Sequence, residues 1–183
     1  MNMHQQDRVA NSSQRPNAGV DVSKQHLDAC WANQELLALG AASQGALPAD
    51  DYRLFVRILN HTYVVDRIFA SHLQGLPQTT YRATNTDETP ELATLSDTVR
   101  ASDDWYVQYV GGLDDAQLAE PVAFRFTDGD TGRMSRSEIL NHLVVHGTYH
   151  RGAAGRILAA HAVQPPRDSL TTFLHRLEPD RRW

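Results

Sequence analysis

The chain has a single cysteine, Cys30, among its 183 residues. One cysteine cannot form an intrachain disulfide, and it excludes a zinc cluster built from several cysteine ligands. Basic residues are not in excess either, because the formal net charge is -5. This composition argues against a scaffold that binds nucleic acid or an anionic membrane surface. No apolar run approaches the roughly 20 residues that cross a membrane as a helix.

The N-terminal stretch 1–19 is polar and lacks the apolar core of a secretory signal. We therefore expect a flexible arm over 1–19, a cytoplasmic location, and no membrane or nucleic-acid partner. The remaining length suits one domain, which we place at 20–178. Hydrophobic residues make up 41% of the chain, which is enough to form a core.

Apolar residues recur at helical spacing in four long segments. They predict helices over 22–39, 51–74, 90–110 and 135–161. Gly40 is expected to stop the first helix, and Leu54 is expected on the buried stripe of the second. Thr89 is expected to cap the third helix, ahead of Pro90. Ser135 and Glu138 form a capping box at the start of the fourth.

Between the third and fourth helices the spacing of apolar residues changes from a helical to a strand-like pattern. Residues 121–126 alternate apolar with small or polar side chains, the turn signal 127–130 follows, and 131–134 return as a second strand. A short helix is predicted within 168–177. The pattern as a whole predicts an all-α four-helix bundle with a small β-hairpin before the last long helix.

Histidine is abundant, with nine residues, and three of them lie four residues apart on the fourth helix. At about 100° per residue, His146 and His150 face the apolar stripe, whereas His142 points toward the surface or a rim. Two imidazoles at i and i+4 project from one face and can share a metal ion. A further ligand must then come from another helix.

The best third ligand is His61, which borders the inward face near the middle of the second helix. His72 is three turns further along, about 16 Å at 1.5 Å per residue, and so cannot share the same ion. Three histidines would leave an open position for water, as in catalytic zinc sites. Zn²⁺, Ni²⁺ or Fe²⁺ would accept such a set. The alternative is that these histidines only form hydrogen bonds.

For several other residues we predict structural roles outside the metal site. Cys30 is expected to be a buried, inert thiol, and His26 to be partly exposed. Arg151 is expected to pair with Asp66 or with another carboxylate between helices. Tyr149 is expected at the surface or an interface.

Two motifs resemble the DinB family (DinB/YfiT-like metalloenzymes). One is Asn60-His61 followed by Asp66-Arg67-Ile68-Phe69, and the other is HLVVHGTYHRG at 142–152. Residues 31–37 also resemble the first helix of that family, and the likeness extends over 24–174. It implies an up-down-down-up four-helix bundle and a divalent metal held by His61, His146 and His150. It also implies a homodimer.

The resemblance implies a class of reaction as well. Members of the family include S-transferases and isomerases that use low-molecular-weight thiols such as bacillithiol or mycothiol. The leading hypothesis is therefore a metal-dependent enzyme acting on a small-molecule substrate, either a thiol-dependent S-transferase or a hydrolase. The alternative is a non-catalytic metal-binding stress-response bundle that acts through dimerisation or partner binding. No catalytic residue beyond the ligands is identified from the spacing.

Overall fold

The computed structural model describes residues 21–76, 81–181 and 183, and these residues are mostly helical. The described part contains α1 (Val22–Ala42), α2 (Ala49–Leu73), α3 (Leu92–Gly111), α4 (Asp115–Ala119), β1 (Pro121–Arg125), β2 (Thr131–Ser135), α5 (Arg136–Ala160) and α6 (Leu170–Leu177). Single 3₁₀ turns lie at Gln44–Ala46 and Pro179–Arg181. The arm expected at 1–19 falls outside the described residues.

The four long helices pack side by side. Helix α1 contacts α3 and α5, and α2 contacts α5 and α3. None of the helices in the described ranges is long and apolar enough to cross a membrane. The predicted all-α class is confirmed, together with the two-stranded sheet that interrupts it.

The predicted β-hairpin is confirmed. Strands β1 and β2 are antiparallel, and their register runs from Pro121 opposite Ser135 to Arg125 opposite Thr131. Ser135 is also the N-cap of α5, where its hydroxyl accepts from the Glu138 amide and the Glu138 carboxylate accepts from the Ser135 amide. The capping box read from the sequence is therefore present, and it joins the hairpin to the last long helix without a linker.

Three local expectations are wrong. Gly40 does not stop α1, which continues to Ala42; it is buried where a Cβ would overlap the Phe55 ring, so its role is close packing. Thr89 does not cap α3, because the backbone stays extended through Glu91 and the helix begins at Leu92. Leu54 is 51% exposed, since α2 turns its Phe55 side toward the core.

The apolar core consists of two clusters separated by polar side chains. One cluster is centred on Phe55, Leu95 and Leu158, and the other on Phe69, Ile139 and Leu140. Between them, each long helix places polar residues that are mostly buried: His26, Asp28 and Asn33 on α1, Asn60, His61 and Thr62 on α2, Ser102 and Asp103 on α3, and His146, His150 and Arg151 on α5. The middle of the molecule is thus a polar layer, and burying such groups is tolerated only where they find partners.

Candidate metal centre

Three histidines converge where α2 meets α5. One ring nitrogen from each of His61, His146 and His150 lies within 4.8 Å of the other two. The centroids of the His146 and His150 rings are 4.4 Å apart, as expected for side chains one turn apart on α5. The structure therefore brings together the three residues singled out in the sequence. Their role as ligands stays a prediction.

His142 lies beside this cluster without joining it. Its side chain is exposed, and its ring stacks on His146 with centroids 5.5 Å apart. Its position at the edge agrees with the helical-wheel argument. Within the described residues no further histidine, cysteine or carboxylate completes a fourth corner of the cluster.

A backbone carbonyl sets the orientation of His61. The Nδ1 atom of His61 lies 2.6 Å from the carbonyl oxygen of Thr84. A carbonyl oxygen only accepts, so Nδ1 carries the proton and Nε2 keeps its lone pair. That lone pair points to the cluster, because His61 Nε2 is 3.2 Å from His146 Nε2. Metal-binding histidines commonly use such a donated N–H to fix the tautomer.

The donor set fits a small divalent cation. With Zn–N bonds of about 2 Å, two nitrogen ligands of a tetrahedral zinc site lie about 3.3 Å apart. The 3.2 Å between the Nε2 atoms of His61 and His146 is close to that edge length. The three histidines are partly exposed, so the cluster is reachable from solvent. Imidazole nitrogen suits zinc, nickel and iron.

The electrostatics keep His146 and His150 in the neutral form that binds metal. Burial lowers the pKa of His146 to about 4, and the neighbouring His150, His61 and His142 add to the effect. Burial also lowers the pKa of His150, with a further contribution from His61. Protons therefore compete weakly for these two ring nitrogens at neutral pH.

Arg151, the residue after the last histidine, is 4% exposed and fully engaged. Its Nε donates to Asp168 Oδ2 at 2.7 Å, and its Nη1 donates to Asn33 Oδ1 at 3.1 Å. Asn33 in turn donates to Asp103 at 3.1 Å. Arg151 thus pairs with a carboxylate as predicted, but this is Asp168, between α5 and α6, and not Asp66. The network ties α5 to α1, α3 and the C-terminal segment.

A polar cavity of about 30 Å³ lies beside this network, in the middle layer. Its walls include His26, Cys30, Asp66, Asp103 and Arg151. Burial raises the pKa of Asp66 well above its usual range; Asp103 raises it further, and Arg151 opposes the shift. A cavity of this size with polar walls suits ordered water.

Two further expectations can be compared with this cavity. His26 is 5% exposed, so the expectation of partial exposure is wrong; its ring stacks on Tyr106, and its Nδ1 meets the Val22 carbonyl. Cys30 is partly buried, and burial raises its thiol pKa. A thiol held in its protonated form is a poor nucleophile, which agrees with the inert role predicted for it.

Sequence reasoning missed the groups that hold the histidines in place. The Thr84 carbonyl could not be foreseen, because a backbone acceptor in a loop leaves no mark in the residue pattern. Asn60 and Asn33 left a weak signal, since each is a polar residue on a helix face that otherwise faces the core. Asp168 follows a Pro-Pro pair, and nothing in its spacing pointed to Arg151.

Comparison with known proteins agrees with the motifs. The model of the DinB family matches residues 42–181. This span contains all three histidines, the hairpin and α5, and it begins where α1 ends. Comparison with curated proteins returns no match. Because the family match covers most of the chain and includes the histidine cluster, the chain belongs to the DinB family.

Proposed function

We propose that His61, His146 and His150 bind one divalent cation, Zn²⁺, Ni²⁺ or Fe²⁺, and that the protein is a metal-dependent enzyme of the DinB family. The observation that carries this proposal is the convergence of one ring nitrogen from each of these histidines, on α2 and α5, within 4.8 Å of one another. A cation with an open position lowers the pKa of a bound water or thiol and polarises a carbonyl.

The residues themselves have defined tasks in this proposal. His61 presents Nε2 because Thr84 accepts the Nδ1 proton. His146 and His150 present their rings from successive turns of α5. Arg151 keeps that part of α5 in place through Asp168 and Asn33. Its guanidinium is buried and paired, so we assign it to positioning and not to binding an anionic substrate.

The reaction class we propose is transfer to or from a small thiol, such as bacillithiol or mycothiol, with hydrolysis as the second possibility. Family membership and the partly exposed cluster support a site that takes a small-molecule substrate. A non-catalytic metal-binding bundle would call for a closed site. The lack of a fourth protein ligand among the described residues favours the enzyme.

We also propose the up-down-down-up bundle that the family resemblance implies. Support comes from pairs of contacts along the helices. Phe69 lies against His142 and His61 against His150, so α2 and α5 run in opposite directions. The Tyr106 hydroxyl donates to the Asp66 carbonyl, and the Tyr109 hydroxyl donates to the Leu73 carbonyl. The later residue of α3 thus meets the later residue of α2, so α2 and α3 run in the same direction.

A homodimer is part of the proposal. Tyr149 is 74% exposed and Val145 is 59% exposed, one turn apart on the outward face of α5. Two apolar side chains of this kind, next to the histidine cluster, would gain from burial. The molar mass in solution, measured by light scattering, would decide between monomer and dimer.

The test of the metal is direct analysis of protein that carries no affinity tag. We expect about one equivalent of metal per chain and its loss in His61→Ala, His146→Ala and His150→Ala. His142→Ala is the matched control, because it removes an adjacent imidazole that lies outside the cluster. A metal-free wild-type protein that takes up no zinc, nickel or iron would overturn the proposal.

A further inference from the structure

The loop after α2 folds back onto the helix at His61. The described part of this connection, residues 81–91, contains neither helix nor strand. Even so, its Thr84 carbonyl accepts the Nδ1 proton of His61 at 2.6 Å. Loop backbones are usually mobile. A carbonyl in a loop can fix an imidazole only if the loop is itself held to the scaffold.

The residue that holds it is Asn60. Its Nδ2 donates to Oδ1 of Asn85 and, at 2.7 Å, to Oγ1 of Thr86. Both acceptors follow Thr84 directly in the chain. The Thr86 hydroxyl also donates to the Glu88 carbonyl at 2.6 Å, which extends the hydrogen-bonded network further along the loop.

The same loop is tied to α2 at a second point, one turn before Asn60. Asn85 Nδ2 donates to the Arg57 carbonyl at 3.1 Å, and the Arg57 guanidinium donates to the Thr86 carbonyl at 3.0 Å. Thr84 is therefore followed by two residues whose side chains or backbone are bonded to α2. Its carbonyl has a defined place relative to the His61 ring.

The burial of Asn60 shows that core packing alone does not explain this residue. Asn60 is 2% exposed, and its buried neighbours on α2 include Val56, Leu59 and Val64. An apolar side chain there would bury hydrophobic surface at no polar cost, whereas a buried amide is tolerated only when it is hydrogen-bonded. The bonds of this amide go to the loop that orients His61.

We infer that Asn60 is a positioning residue for the metal centre: through Asn85 and Thr86 it holds the Thr84 carbonyl in place, and so keeps the His61 Nε2 lone pair directed at the metal. The expected effect of Asn60 on metal affinity rests on the proposed function. The expected effect on the His61 tautomer concerns the metal-free protein and does not depend on that function. Outer-shell partners of ligating histidines typically contribute 10- to 100-fold in metal affinity, as an order-of-magnitude guide.

The test combines two variants with two measurements. Asn60→Ala removes both donated hydrogen bonds, and Thr86→Val removes one acceptor with little change in shape, in case the first variant does not fold. Zinc affinity is measured by competition with a chromophoric chelator. The tautomer of His61 is read in the metal-free protein from two-bond ¹H–¹⁵N correlations, assigned with His61→Gln.

We expect wild-type His61 to carry its proton on Nδ1, and both variants to show a mixture of tautomers with zinc affinity lowered by about 10-fold or more. Tyr109→Phe is the control for lost stability, because it removes a partly buried hydroxyl that bonds the Leu73 carbonyl, at the end of α2 and α3 far from His61. It should leave the tautomer and the affinity unchanged.

Wild-type tautomer populations in both Asn60→Ala and Thr86→Val would overturn the inference, as would unchanged zinc affinity. If the wild-type protein binds none of zinc, nickel and iron, the proposed function fails. In that case the tautomer comparison still decides whether Asn60 positions His61. The two failures are therefore distinguishable.

Discussion

Arg151 and Asp168 form an ion pair in which the guanidinium is almost wholly buried, with Nε 2.7 Å from Oδ2 and a side-chain exposure of 3% for the arginine. The pair joins the residue after His150 to the segment that leads into α6. Asn33 and Thr148 take two further guanidinium hydrogens. A charge buried this deeply depends on every one of these partners.

Removing one member of this pair should therefore be costly. Arg151→Ala leaves the Asp168 carboxylate without its cation, and we expect the free energy of unfolding to fall by about 3 kcal/mol or more. Urea denaturation of the metal-free protein measures the loss. Lys24→Ala is the control, since its ion pair with Glu178 is partly exposed and should cost less than about 1 kcal/mol. Equal effects would show that the burial of Arg151 does not matter.

Gly147 and Gly152 on α5 should respond oppositely to alanine. A Cβ at Gly147 would lie 3.0 Å from Arg151 Nη1, which Asn33 holds in place, whereas a Cβ at Gly152 would meet nothing within 4 Å. Alanine in a helix interior gains about 0.5–1 kcal/mol over glycine when space allows. We expect Gly152→Ala to stabilise and Gly147→Ala to destabilise, as measured by urea denaturation. A stabilised Gly147→Ala would mean that the guanidinium has room to move.

Asp103 should make stability fall with rising pH. Burial raises its pKa to about 6, Asn33 and Arg151 oppose the shift, and Asp104 adds to it. An unfolded aspartate titrates near 3.9. Between about pH 4 and pH 6 the folded state therefore binds more protons than the unfolded state, so this group's contribution to stability is lost as pH rises through that window.

The variant Asp103→Asn removes this titration but keeps an acceptor for Asn33. We expect the stability of the variant relative to wild type to increase between about pH 4 and pH 7, by on the order of 2 kcal/mol. Urea denaturation of both proteins in chelator across that range gives the difference. A difference that does not vary with pH would contradict the raised pKa.

Metal removal should lower thermal stability only where the cluster is intact. A ligand at 100 times its dissociation constant adds about 2.7 kcal/mol to the folded state. We expect chelator to lower the melting temperature of wild type and His142→Ala, and to leave His146→Ala unchanged. Scanning calorimetry with and without chelator provides the measurement. A chelator effect that persists in His146→Ala would place the metal elsewhere.

The elements and the His146–His150 pair could be predicted from the sequence because both depend on local spacing. The capping box at Ser135, the turn after β1 and the four-residue repeat of histidines are each short-range features of the chain. The wheel also separated His142 from His146 and His150. These features need only the geometry of one helix or one hairpin.

What could not be predicted depends on how the elements meet. Gly40 was expected to end a helix, and only the approach of Phe55 explains why it lies inside one. His26 was expected to be partly exposed, and only the packing of Tyr106 against it shows otherwise. The partner of Arg151 lies in the segment between α5 and α6. Long-range pairings of this kind are invisible to a periodicity argument.

Ser135 is both the last residue of β2 and the N-cap of α5. The hairpin therefore fixes the rotation of α5, the helix that carries His146 and His150, about its own axis. Because successive residues of an α-helix differ by about 100°, one residue inserted after Ser135 would swing both imidazoles away from His61 while leaving their mutual spacing intact. The same two rings would remain one turn apart on one helix face without being able to share an ion with His61. The direction in which His146 and His150 project from α5 is therefore fixed at the first turn of the helix, well before the chain reaches the histidines.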